Sequence, residues 1–276
     1  MPRVGIAPGP AARGVILGLA ALFFLVPLIG LAEFSLRVGQ PVDGRQAYGF
    51  LHVAELFAPA TAGAYQLLFD GIGNSLLLCV LTIAIVLLLL LPAMILSHLR
   101  YPRVKRVLEF VCLLPITVPT IVLVVGFVPV YSVVAQLFGS PPWTLAFAIG
   151  VIVLPFAYRP IAANMGAVEL HVLTEASRSL GASWGATLAR IILPNLRRGI
   201  FAAAFITIAV VLGEYTIASF LAQNTFQTAL VLLQRTDPYV ATIFSLLAIM
   251  LGIVLLIVIG RVGAARPGTR ASRRIR

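Results

Sequence analysis

Long apolar runs separated by short polar segments organise this chain. No charge interrupts residues 15–32, 72–97 or 110–136. A membrane-crossing helix needs about 20 mainly apolar residues, because the hydrocarbon core is about 30 Å thick and each helical residue rises about 1.5 Å. Residues 137–158 are also uncharged, but Gly139, Pro141 and Pro142 open that run, so a fourth helix starts near Trp143 and Arg159 snorkels toward the headgroups. Residues 199–213 and 215–222 flank a single acid, Glu214, and 239–260 run unbroken to Arg261. The pattern predicts six spans, at about 14–34, 72–97, 107–131, 143–163, 199–221 and 239–260, and an all-α integral membrane fold.

Two connecting segments carry pattern of their own. Residues 37–70 are too short to fold alone, though 50–57 alternate polar and apolar residues as a short amphipathic helix does. Residues 164–198 are longer and helical in pattern up to Leu180: Val172, Ala176 and Leu180 recur at four-residue spacing beside Leu173, while Glu175, Arg178 and Ser179 point elsewhere. Gly181 then stands where helices commonly end in the left-handed conformation, and Ser183 can cap a second helix running to Leu193 before Pro194. On pattern alone this unit is either a linker lying on the membrane or a docking element.

Composition removes the soluble classes. Of 276 residues 61% are hydrophobic and 11% charged, against about 45–50% and about 25% in an ordinary soluble domain. With both termini on the cytoplasmic side, 17 of the 20 bases fall inside and only Arg37, Arg45 and Arg235 outside, the asymmetry expected of short cytoplasmic loops. The resulting divisions are a cytoplasmic N-terminus at 1–13, a transmembrane domain at 14–262, a cytoplasmic loop at 164–198 and a basic cytoplasmic tail at 263–276. The first apolar run exceeds the 7–15 residues of a signal-peptide core, so it is expected to be retained as a helix. The net charge of +11 is spread over the inner face, which fits anionic lipid as partner better than nucleic acid.

Candidate chemistry is sparse. Cys79 and Cys112 each lie within an apolar run, and none of His52, His98 and His171 stands at metal-ligand or nucleophile spacing inside a span, so neither a catalytic residue nor a metal site is expected. The only lysine, Lys105, lies between Val104 and Arg106. A phosphate-binding Walker loop, which needs Gly-Lys-Ser/Thr, is therefore excluded.

Glu175-Ala176-Ser177, then Gly181, then Ile191-Ile192-Leu193-Pro194 resembles the EAA loop of binding-protein-dependent ABC importer permeases, with Ser177 in place of the pattern's third alanine. The resemblance covers roughly 72–260. It implies that the loop between spans four and five forms a coupling helix, with Glu175, Ala176, Ser177, Gly181, Leu193 and Pro194 as its coupling residues. It also implies two cytoplasmic ATPase subunits holding ATP and Mg, a second permease that is a copy or a paralogue, an extracytoplasmic solute-binding protein, and residence in a bacterial cytoplasmic (inner) membrane. No cofactor is expected on this chain itself.

Gly213-Glu214-Tyr215-Thr216-Ile217-Ala218-Ser219-Phe220 is similar to the matching region of the polyamine, iron(III) and aminoethylphosphonate branch, which implies a small charged or amino-bearing solute, polyamine first. An acid inside a span usually faces a cavity or a partner. Glu214, with Tyr215 and Ser219, either lines a solute path or fixes helix packing. Asn74 and Asn164 either satisfy backbone at a helix end or touch solute. Pro92, Pro115, Pro119, Pro129 and Pro155 lie within the predicted spans, where proline kinks helices. The alternative class is an ion-gradient-driven secondary transporter, which would favour an inverted internal repeat; no convincing repeat is found.

Overall fold

The computed structural model describes residues 9–42, 45–58, 63 and 65–264; the expected basic tail from 265 on and the first eight residues lie outside them. Six of the described helices are long and apolar enough to cross a membrane: Ala11–Ser35, Gln66–Leu99, Thr120–Phe138, Pro142–Gly166, Trp184–Gly213 and Pro238–Val258. The chain divides into two compact units, 66–229 with 251–276, and 1–65 with 230–250.

The larger unit is built around α3 (Gln66–Leu99), α6 (Leu145–Gly166) and α9 (Leu193–Gly213), which pack on one another. Leu78, Ile149, Val153, Ile161 and Leu196 lie fully buried in its core. α6 and α9 approach closely at Gly199, where a Cβ would stand 2.9 Å from the Asn164 Cβ and 2.9 Å from the Pro160 carbonyl oxygen. Asn164 does not cap α6: it lies inside that helix and its Oδ1 accepts the Gly199 N–H at 2.9 Å, clamping α6 to α9.

Proline decides two departures from the expected spans. The third, expected as one helix over 107–131, is instead α4 (Pro102–Leu113), a tight turn at Leu114–Thr117 and α5 (Thr120–Phe138). Pro115 and Pro119 each remove a helical N–H, and Val118 between them is extended, as residues preceding proline prefer. In contrast Pro194 does not end the loop's second helix. After α8 (Trp184–Thr187) the chain winds wider through Leu188–Ile192, the Leu193 N–H reaches back five residues to the Leu188 carbonyl, and α9 continues. The wider turn accommodates the ring, and the Asn195 side-chain amide takes up the Ile191 carbonyl at 2.8 Å.

The smaller unit starts with α1 (Pro10–Ser35), apolar on every side and exposed along nearly all its length. The following segment forms a hairpin that the sequence pattern did not show, β1 (Arg37–Val42) antiparallel to β2 (Arg45–Tyr48). Glu33 anchors it, pairing with Arg37 through two bonds at 2.9 and 3.0 Å and accepting the Tyr48 hydroxyl at 2.7 Å. The expected amphipathic helix over 50–57 is present as the shorter α2 (Leu51–Glu55). Asp237 caps α12 (Pro238–Ala264), its Oδ1 accepting the Val240 N–H at 3.1 Å with Pro238 at the first position. Burial, and then a 2.9 Å hydrogen bond to Asp237, pushes the Tyr65 phenol up to about 12. Tyr65 is therefore a hydrogen-bond donor throughout the physiological range.

Candidate functional site

The inner-loop motif folds as helix, glycine turn, helix. α7 (Leu170–Ser179) ends at Leu180, and Gly181 follows at φ +83°, the left-handed region that a side chain would strain. The Ala182 N–H closes on the Ser177 carbonyl at 3.2 Å and Arg178 donates to the Ala182 carbonyl at 2.8 Å, so the turn is tied on both sides. Ser183 caps α8 by accepting the Ala186 N–H at 3.3 Å.

Which face of α7 packs is not what the apolar spacing suggests. Leu170 and Ser177 are buried, Leu173 and Thr174 half-buried, while Val172, Ala176 and Leu180 point outward, Leu180 being 89% exposed. The apolar stripe is thus left uncovered by the chain, and a polar residue occupies the packed side. Ser177 belongs there because its hydroxyl meets the Thr187 hydroxyl at 2.9 Å, and Thr187 in turn donates to the Ser183 carbonyl at 3.0 Å. The serine that departs from the alanine pattern therefore joins α7 to α8.

Glu175 and Arg178 line a shallow open hollow of about 220 Å³ with Leu99, Arg100, His171, Thr174 and Trp184. Its floor is braced by the Arg100 guanidinium 5.9 Å from the Trp184 ring centroid and by His171 Nε2, 3.0 Å from the His98 carbonyl. Leu193 and Pro194 lie beyond the wide turn, at the start of α9.

The second group of sequence-predicted residues lies where the fifth span breaks. Instead of one helix over 199–221, α9 ends at Gly213, Glu214 is extended, and α10 (Thr216–Phe220) starts anew. Glu214 Oε1 accepts the Ile217 N–H at 2.6 Å, so the acid satisfies backbone freed by the break. Tyr215 and Ser219 are exposed beside it. Asn74 does not begin a helix; it lies two turns inside α3 and donates to the Asn224 carbonyl at 2.9 Å.

The pattern missed the partners of Asn74. Asn224 donates back to the Leu67 carbonyl at 3.1 Å, and buried Ser75 accepts the Phe226 N–H at 2.8 Å, the start of α11 (Phe226–Thr236). Gly71 completes this seam, since a Cβ there would fall 2.8 Å from the Thr225 carbonyl oxygen. Glu214, Tyr215 and Ser219 thus share one break, and Asn74 holds the loop that follows it.

With this geometry in place, comparison with known proteins is informative. The family model described as "Binding-protein-dependent transport system inner membrane component" matches residues 90–266. A solved structure, "Crystal structure of an amino acid ABC transporter with histidines", is similar over 74% of this chain and 94% of its own, at 19% identity and a TM-score of 0.49. No curated protein matches the chain.

Proposed function

Since the chain belongs to the family of binding-protein-dependent transport system inner membrane components, the multi-pass permeases of ABC importers, we propose that α7 is the coupling helix through which separate ATPase subunits drive it. The observation that supports this is the outward apolar stripe of Val172, Ala176 and Leu180, ending at the left-handed Gly181. An apolar side chain left in water forgoes about 1.5–3 kcal/mol of burial, which a docked protein surface recovers. A short helix tied to α9 through a rigid turn can pass rigid-body motion into the membrane, as a disordered linker cannot. Glu175, beside the stripe and exposed, stands at the proposed interface.

In this proposal two ATPase subunits hold ATP and Mg on the inner side. A second permease, copy or paralogue, encloses the path with this chain, and an external binding protein delivers the solute. Both termini and the 164–198 loop face the cytoplasm of a bacterial inner membrane, in keeping with the distribution of Lys and Arg.

The solute class we propose is a small cation, polyamine first. The support is the Glu214 carboxylate held at a helix break with Tyr215 and Ser219 exposed next to it. A carboxylate at the end of a membrane helix attracts a passing cation. ATP-dependent uptake of labelled putrescine and spermidine by vesicles holding the whole complex tests this. Glu214→Gln is expected to lower uptake by about tenfold, the equivalent of about 1.4 kcal/mol, with assembly unchanged. An active complex that takes up neither compound would retire polyamine as solute and leave the permease assignment standing.

A further inference from the structure

We propose that His52, Glu55 and Asp237 form a site for a divalent first-row transition ion of the zinc class, pinning α2 to the start of α12. One donor atom from each residue lies within 4.8 Å of the other two. An ion with bonds of about 2.0–2.2 Å holds its ligand atoms roughly 3–3.6 Å apart, so small side-chain rotations close the set. Sequence spacing shows only the His52–Glu55 pair; the third ligand arrives through the fold.

The hydrogen bonds select a cation. His52 Nε2 lies 3.1 Å from the Arg37 carbonyl oxygen, which can only accept, so Nε2 carries a hydrogen. In the neutral ring Nδ1 is then a lone pair, and it faces Glu55 Oε2 at 3.2 Å. Two acceptors that close require either a second ring proton or a metal ion between them. A divalent ion fits this set, since two carboxylates and an imidazole lone pair converge on one point.

The supporting contacts are those of a built ligand set. A metal-bound histidine ordinarily donates its other N–H to a carbonyl or carboxylate, as His52 does to Arg37, and ligating carboxylates are themselves hydrogen-bonded. Asp237 accepts from the Tyr65 hydroxyl at Oδ2 (2.9 Å) and from the Val240 N–H at Oδ1 (3.1 Å), each oxygen keeping a lone pair free. The His52 ring is fixed by stacking on Tyr239, with centroids 4.5 Å apart. One imidazole with two carboxylates suits zinc-class ions, whereas calcium and magnesium prefer oxygen alone. All three residues are half-buried, which leaves room for water to complete the coordination. None of the coupling or break residues takes part, so this site stands independently of the proposed transport role.

The test is zinc binding to the purified full-length chain in detergent, measured by elemental analysis after equilibrium dialysis at about pH 8. The expected result is about one zinc ion per chain, with affinity about tenfold or more lower in His52→Ala and in Glu55→Gln. His171→Ala, which removes the ring beside His98 in the other unit, should bind as the parent does. Zinc should also raise the unfolding temperature of the parent and of His171→Ala but not of the two site variants. Glu55→Gln keeps the shape of the side chain and gives the answer if His52→Ala fails to fold. Equal zinc binding by parent, His52→Ala and Glu55→Gln, or no zinc bound by the parent, would overturn the site and leave a simple histidine–glutamate ion pair.

Discussion

The chain interrupts its helices at Gly181 and at Glu214, and the two interruptions are built in opposite ways. At Gly181 a left-handed glycine turns the backbone at φ +83°, and the residue before it, Leu180, is left 89% exposed. At Glu214 the backbone is extended and the side chain folds back onto the Ile217 N–H at 2.6 Å. The first break presents apolar surface that the chain itself does not cover. The second consumes its polar group internally. The Glu214 carboxylate is therefore first an answer to a backbone problem at the end of α9, and any role toward solute has to be shown by removing the charge while keeping the hydrogen bond.

The comparison is broken most severely at the first site. Leu180→Asp places a charge on the uncovered stripe without disturbing a packed residue, so the isolated chain should fold and insert normally. If the stripe docks an ATPase, the variant loses the burial of a leucine, about 1.5–3 kcal/mol, and gains a desolvation cost on the new carboxylate. Co-purification of ATPase subunits under gentle detergent should fall by about a hundredfold and ATP-dependent uptake with it. Gly181→Val should act similarly through the turn, since a β-branched residue at positive φ is a genuine outlier. ATPase retained at parental stoichiometry in both variants would remove the coupling role from α7.

At the second site two substitutions separate the roles that Glu214 combines. Glu214→Gln keeps an oxygen to accept the Ile217 N–H and removes only the charge; Glu214→Ala removes both. The glutamine variant should keep the parental unfolding temperature, and the alanine variant should be about 1 kcal/mol less stable, the ordinary cost of losing a helix cap. Uptake equally reduced in both would assign the function to charge, whereas a glutamine variant with parental uptake would leave Glu214 a packing residue alone.

Much of the fold was legible because spans depend on a single dominant property. Apolar length predicted six spans, the number of long apolar helices among the described residues, and the turn at Gly181 and the cap at Ser183 follow from local chemistry. What stayed hidden depends on neighbours. Pro115 and Pro119 break the third span, yet Pro92 and Pro129 sit inside α3 and α5, and Pro194 is passed by a wider turn. Nothing local distinguishes these prolines, because the outcome rests on which carbonyls find other partners. Asn74 and Asn164 read as helix-end residues, but both reach across the fold, to Asn224 and Gly199. The approach of Asp237 to His52 was hidden for the same reason, as residues far apart in sequence give no spacing to read.

The face of α7 was the subtlest of these, and it yields the smallest effect. Spacing marked Val172, Ala176 and Leu180 as apolar, but spacing cannot say whether an apolar stripe faces the chain's own core or a partner. The polar side decides, because the Ser177 hydroxyl is buried against Thr187. Ser177→Ala restores the family's alanine and removes that bond, while Thr187 keeps the Ser183 carbonyl as partner. No buried group is then left unsatisfied, so the loss is held to the net value of one hydrogen bond, about 0.5–1.5 kcal/mol, rather than the larger cost of an orphaned donor. The unfolding temperature in detergent should drop by a few degrees at most, and uptake should stay near parental. A large loss of uptake with this small change in stability would mean that the α7–α8 hydrogen bond carries part of the coupling, and that the packed face of the helix matters to transport as much as the exposed one.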